Sequence, residues 1–337
     1  MIYLINKYYA NIKKIIRENI GFFIIWFVVI LLFLVDTPYL IYTPGSYIDL
    51  KTRLDVDTDN KTSGTFGMAY VSVVKASPIF IGISYLNKNW DLISKDKVKY
   101  DDETLKDAEK RDKISMDEAV SNAKIAAFKE ALGTYNIDDV HHIITYLDSN
   151  DTELKLFDEI KSVDGITINN LEDIRNVVAT KTTGTKMNIE VIRNEKLITV
   201  SSSVYEIDGR KILGISLTDV YDVTTNPEVE IKIKSNESGP SGGLMMSLSI
   251  YNSLVSEDIS KGKKIIGTGT IDVNGNVGEI GGVKYKLIGA VKNKADVFLC
   301  PKENYEEAVK VAKDNNYGIK IVAVSTLKEA IEELENL

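Results

Sequence analysis

From Ile20 to Val35 the chain reads IGFFIIWFVVILLFLV, sixteen residues without a charge, and apolar character resumes after Asp36 at Tyr39 to Tyr42. In helical rise, with Tyr3, Tyr8, Tyr9, Tyr39 and Tyr42 near its ends, this pattern predicts a transmembrane helix over residues 20–40. A cleaved signal peptide is the other reading, although no small-x-small site follows the run. Phe66, Met68, Tyr70, Val71, Val73 and Val74 then read as strand within residues 64–84. The polar stretch from Ser94 to Lys113 predicts a solvated loop or a frayed helix. Ser115 to Glu118 forms a capping-box pattern ahead of Met116, Ala119, Val120, Ala123, Ala127 and Ala131 at helical spacing, and Gly133 is expected to close that helix.

Between about 137 and 205 the period shortens. Ile143–Tyr146, Glu159–Val163 and the alternating Met187, Ile189 and Val191 read as strands around a helix from Leu171 to Val178. The pieces LFDEIKSVDG and LEDIRNVV resemble the strand and following helix of PDZ domains, which implies a β-rich peptide-binding module. Phe157 stands where that motif usually has glycine, and no Gly-Leu-Gly-Phe-like loop precedes Ile143. Any small α/β module is the alternative for this stretch.

The last third is the most regular. Val229–Ile233 leads through a glycine-rich turn into an apolar helix from about Ser241 to Leu254, and Lys264–Ile271 and Val277–Ile280 flank the turn signal Asn274-Gly275. A helix near 282–293, a strand Val297–Leu299, a helix from about 303, a strand Ile319–Val322 and a helix from Leu327 complete an α/β pattern. The expected organisation is a cytoplasmic N-terminus (1–19), a transmembrane helix (20–40), an N-terminal extracytoplasmic region (41–136), a PDZ-like domain (137–205) and an α/β domain (225–337).

Composition narrows the chemistry more than the fold. A net charge of −8 with scattered lysines gives no footprint for nucleic acid. The single cysteine, Cys300, excludes an internal disulfide framework and reads as a small core residue at a strand end. The only histidines, His141 and His142, are adjacent in the middle third, so nucleophilic chemistry in the last third needs another base. No metal constellation is legible, and Gly242-Gly243-Leu244 after Ser241 is not a Walker phosphate loop, so no cofactor is expected.

Glu237-Ser238-Gly239-Pro240-Ser241-Gly242-Gly243 lies between a strand and a helix. Flanking glycines there permit close backbone approach, and a helix N-terminus offers N–H groups to a developing oxyanion. Ser241 is therefore a candidate nucleophile, with an N-cap serine as the alternative. A serine needs a base, and a lysine serves only when desolvation lowers its pKa by roughly two to three units. Lys284 is the candidate, following Gly281-Gly282-Val283 with Ile280, Leu287 and Ile288 close by, whereas Lys261, Lys263 and Lys264 sit in a polar turn. A solvated surface lysine is the alternative.

The runs ESGPSGGLMMSLSIYNSL, KIIGTGTIDVNGNVGEIGGVKYKLIGA and FLCPKEN resemble the proteolytic domain of Lon proteases, most closely its membrane-anchored, PDZ-containing relatives in Gram-positive bacteria. The resemblance implies Ser241 as nucleophile and Lys284, forty-three residues later, as general base. It also implies that Thr268 hydrogen-bonds the lysine, with a plain β-branched strand residue as the alternative. The acid often found three residues before the nucleophile is Ser238 here, with Glu237 adjacent. No AAA+ module is present in the sequence, so the resemblance implies ATP-independent cleavage.

The expectation is a membrane-anchored serine endopeptidase acting on peptide or protein substrates, and a homo-oligomer is allowed by the sequence. Lys7, Lys13, Lys14 and Arg17 against Glu18 ahead of the apolar run predict an N-in orientation, with an extracellular catalytic domain on the cell membrane. A non-catalytic PDZ-like membrane scaffold on a degenerate protease fold is the alternative of a different class.

Overall fold

A computed structural model describes residues 2–58, 60, 62–100, 103–131, 134–148 and 151–337. The chain divides into two units, one of Met1–Thr43 with Ser72–Val98 and the other of Pro44–Val71 with Lys99–Leu337.

In the first unit, helices Ile2–Glu18 and Ile20–Leu34 meet at Asn19 with a bend of 77°. The apolar helix ends sooner than the hydrophobic run. Val35 is extended, and Asp36-Thr37-Pro38 carries the chain into the strand Tyr39–Asp49, because the residue before a proline is driven out of the α region. The expected single transmembrane helix over 20–40 is thereby corrected. A helix of 15 residues rises roughly 22 Å, short of the ~30 Å hydrocarbon core. No single described helix is long and apolar enough to cross a membrane, although the bent pair Tyr8–Glu18 and Ile20–Leu34 is by length and composition. Tyr39 to Tyr42 instead pair antiparallel with Asp91–Ser94.

In the second unit the long helix Leu105–Ala131 begins ten residues before the expected capping box. Its start is set by Thr104 and Asp107, each side chain bonding the other's backbone N–H at 3.2 and 3.0 Å. Ser115 to Glu118 therefore lies inside the helix, and residues 105–113 of the stretch expected as a solvated loop or frayed helix are its first turns. Gly133, expected to close it, lies outside the described residues.

The PDZ-like sheet runs in the order Ile215–Thr224, Asn136–Leu147, Glu159–Val163, Lys186–Arg193, Lys196–Ser203, with helix Leu171–Ala179 beside it. Ile144, Ile160, Met187, Ile189, Val191, Ile174 and Val178 close its core. The strand Ile215–Thr224, unassigned from sequence, pairs antiparallel along Asn136–Leu147. Phe157 adopts φ +71°, the left-handed conformation that explains glycine at that place in the motif. The PDZ-like module is an insertion between the long helix and the last third.

The proteolysis-like part is one layered core drawn from both sides of that insertion. Strands Lys320–Val324, Val297–Pro301, Lys264–Gly267 and Thr65–Lys75 lie side by side in parallel. Helix Gly243–Leu254 packs between them and the long helix, so Phe66, Met68, Met116, Ala123, Phe128, Leu244, Met245 and Leu248 share one cluster. Segments of the expected 41–136 region thus supply a strand and a helix to the core that seats Ser241.

Candidate active site

The loop before helix Gly243–Leu254 is shaped by two glycines. Gly239 has φ +89°, which a side chain adopts only with strain, and its N–H donates to Asp112 O of the long helix at 2.8 Å. At Gly242 a Cβ would lie 1.8 Å from Met68 Sδ, so the turn sits directly on the core. Pro240–Gly242 make one 3-10 turn, and the α-helix starts at Gly243, two residues later than expected. Ser241 is partly buried on this turn. Its carbonyl accepts from Gly269 N at 2.8 Å and from Thr268 Oγ1 at 2.9 Å, which locks the nucleophile candidate onto the GTGT segment.

Thr268 is fully buried, and its Oγ1 in turn accepts from Lys286 Nζ at 3.1 Å. One hydroxyl therefore links a lysine amine to the backbone of Ser241. Lys286 is only 4% exposed, and burial pulls its amine from the ordinary 10.5 down to about 8. The reason lies in the helix Val283–Lys292. Val283, Leu287 and Ala290 face the core, and Lys286 falls in that same stripe at the i+3 position. Lys284 is on another face, partly exposed, with its Nζ 5.4 Å from the Tyr285 ring centre. The buried lysine bonded to Thr268 is thus two residues beyond the one that the family spacing points to. The stripe was the signal in the sequence for Lys286.

The remaining expected residues have other duties. Glu237 pairs with Arg53 and accepts from Lys234 N at 2.8 Å, which closes the loop ahead of Gly239. His142 Nδ1 meets Asp219 at 2.7 Å and His141 Nδ1 meets Glu159 at 2.9 Å, both within the PDZ-like sheet. Cys300 is a free, fully buried residue of strand Val297–Pro301, and burial pushes its thiol up to about 12. Among the described residues no group of three or more His, Cys, Asp or Glu side chains is placed to hold a metal ion.

A concavity of about 380 Å³ lies in the PDZ-like module between Leu171, Ile174 and Val178 of its helix and Leu213-Gly214-Ile215. This Leu-Gly-Ile segment follows the rest of the module in sequence, so a search for such a loop before Ile143 misses it.

Comparison with known proteins finds two matching stretches. Residues 222–335 match the Lon protease (S16) C-terminal proteolytic domain, and residues 143–204 match the PDZ domain. The chain is similar to Lon protease of Campylobacter jejuni, 34% identical over 125 residues, covering 36% of this chain and 15% of that protein. It is similar to Lon protease 2 of Bacillus subtilis, 32% identical over 124 residues, covering 37% and 20% respectively. A longer similarity, 23% identical over 214 residues, relates it to Lon protease 2 of Borreliella burgdorferi, covering 60% and 25%. The chain spans about a quarter or less of the length of these curated relatives. The last third matches a Lon-type proteolytic domain, and the stretch before it matches a PDZ domain.

Proposed function

We propose that this chain is a membrane-anchored serine endopeptidase in which Ser241 attacks the peptide carbonyl and Lys286, in place of Lys284, is the general base. The observation that carries this reading is the Lys286 amine, buried, lowered to about 8 and hydrogen-bonded to the Thr268 hydroxyl that holds Ser241 O. Thr268 Oγ1 accepts a hydrogen bond from the amine and donates its own to Ser241 O, so a neutral Lys286 keeps its lone pair for the serine proton. Ser241 forms an acyl-enzyme, the lysine returns the proton to the leaving amine, and water resolves the ester. Gly243 N–H already bonds Pro240 O and Leu244 N–H bonds Gly269 O at 3.1 Å. Oxyanion stabilisation falls to backbone N–H groups of the preceding Pro240–Gly242 turn.

Cleavage proceeds without ATP or metal in this reading. The helix Ile20–Leu34 has no buried residue, which supports its use, with the helix before it, as the membrane anchor. The basic flank before it favours a catalytic domain on the extracytoplasmic side. The Leu213–Ile215 concavity receives an extended peptide end of the substrate.

The test is labelling of the full chain by a serine-directed fluorophosphonate, with cleavage of an unstructured protein after exhaustive dialysis. Ser241→Ala and Lys286→Ala each lose about a thousandfold or more, because the pair acts as a unit. Lys284→Ala keeps activity within a few-fold. Loss in Lys284→Ala with retention in Lys286→Ala would return the base to Lys284.

A further inference from the structure

One wall of a cavity of about 380 Å³ is Pro240, immediately before Ser241, and the others are the long helix and the segment Thr270–Gly278. Its polar lining comprises Glu118, Asn122, Thr270, Asp272 and Asn276, with no lysine, arginine or histidine among the described residues. Asn122 is only 6% exposed. Its Nδ2 donates to Ile271 O at 3.1 Å, which fixes the amide's orientation. Its Oδ1 is then a buried acceptor without a hydrogen-bond partner among the described residues, a costly state unless a donor arrives.

Glu118 stands one helical turn before Asn122 on the same face. Its carboxyl is pushed up to about 7 by burial first and by the charge of Asp219 second, so its ionic neighbour is another acid. Asp272 accepts from the N–H groups of Asn274 and Asn276 at 2.9 and 2.8 Å and from Asn276 Nδ2 at 2.8 Å. It is tied into its own turn and contributes negative potential.

We infer that this cavity is a substrate subsite for a cationic side chain, lysine or arginine, of the peptide being cleaved, with Glu118 and Asn122 Oδ1 as its acceptors. The assignment of a peptide as the ligand rests on the Ser241 reading. An arginine brings five N–H donors and a fixed positive charge, which meets the unpartnered amide oxygen and draws the Glu118 carboxyl into its ionised form. A norleucine side chain fills similar volume but leaves both acceptors desolvated and unpaired.

The experiment measures binding to the full-length Ser241→Ala protein of two peptides that differ only in arginine against norleucine, the position being scanned along the peptide. At one position arginine binds at least about tenfold tighter, and Glu118→Gln removes most of that ratio. Glu118→Lys shifts the preference toward a glutamate-bearing peptide, which a merely structural role would not do. In the wild-type chain the same ratio appears in kcat/KM. Equal binding of both peptides at every position, or a ratio untouched by Glu118→Gln in a protein with unchanged far-ultraviolet circular dichroism, overturns the subsite. Because binding is read without turnover, loss of the subsite with intact Ser241 labelling is distinct from failure of the peptidase reading itself.

Discussion

At pH 7 an amine that titrates near 8 is neutral in about one molecule in ten, whereas an ordinary lysine is neutral in fewer than one in a thousand. With Lys286 as base, kcat/KM therefore rises nearly tenfold per pH unit below about 8 and levels above it, which stopped-time assays from pH 6 to 9 read directly. A rate flat across neutral pH would remove the lysine base. Stability moves the opposite way from the usual paired lysine. The folded-state value, about 8, lies below the unfolded 10.5, so the folded protein holds fewer protons in that window. The cost is present in full below pH 8 and fades as pH rises toward 10.5. Lys286→Met should accordingly be inactive yet more stable at pH 7, by on the order of 3 kcal/mol, with the gain shrinking above pH 8. Thermal unfolding at pH 7 and pH 9.5 checks both the sign and the window; a variant less stable than the parent at pH 7 contradicts a desolvated amine.

The elements that hold the site tolerate little change where backbone meets core. Gly242→Ala drives a methyl into Met68 Sδ, and relief requires displacing either a buried methionine or the Ser241 turn. We expect a loss of about 1–3 kcal/mol and slower fluorophosphonate labelling, with part of both recovered by adding Met68→Ala. Labelling at the parent rate in Gly242→Ala alone would show that the turn is not seated as described. Much at this scale was legible. The strand–helix alternation of the last third lies within a few residues of where its periodicity places it, because each apolar stripe there faces one of two buried clusters. One helix start differs from its sequence signal for a physical reason. Ser115–Glu118 has the residues of a capping box but sits mid-helix, since Thr104 and Asp107 close a cap eleven residues earlier that the polar composition of 94–113 conceals. Apolar sequence neighbours and the spacing from Ser241 both point to Lys284, whereas the helix face buries Lys286: Lys284 and Lys286 differ by about 200° around the axis, so only one shares the stripe of Val283 and Leu287. The apolar run 20–35 shows the converse, a composition long enough on paper that Pro38 and the strand Tyr39–Asp49 cut short.

At the scale of the molecule, the stretch that resembles a proteolytic domain is not the unit that closes its own core. Strand Lys264–Gly267 lies between Val297–Pro301 and Thr65–Lys75, with Ile265 opposite Phe66 and Gly267 opposite Met68. Helix Gly243–Leu254, which carries the residues after Ser241, is covered by the long helix through Met116, Ala123 and Phe128. Neither partner belongs to residues 222–335, and neither was assigned to this core from sequence, because contacts across an inserted module leave no trace in local periodicity. Removing them exposes one edge of a buried parallel strand and strips several large side chains from the cluster, each worth roughly 2–5 kcal/mol, against a total domain stability of about 5–15 kcal/mol. A fragment of residues 222–337 should therefore show no cooperative thermal transition and no fluorophosphonate labelling at Ser241, although it contains Ser241, Thr268 and Lys286. Supplying residues 44–131 as a separate chain should restore both, since those residues provide the missing strand and helix. A fragment that melts cooperatively near the full chain's temperature and labels at its rate would show that the last third is self-sufficient and that the strand Thr65–Lys75 and the long helix only decorate it.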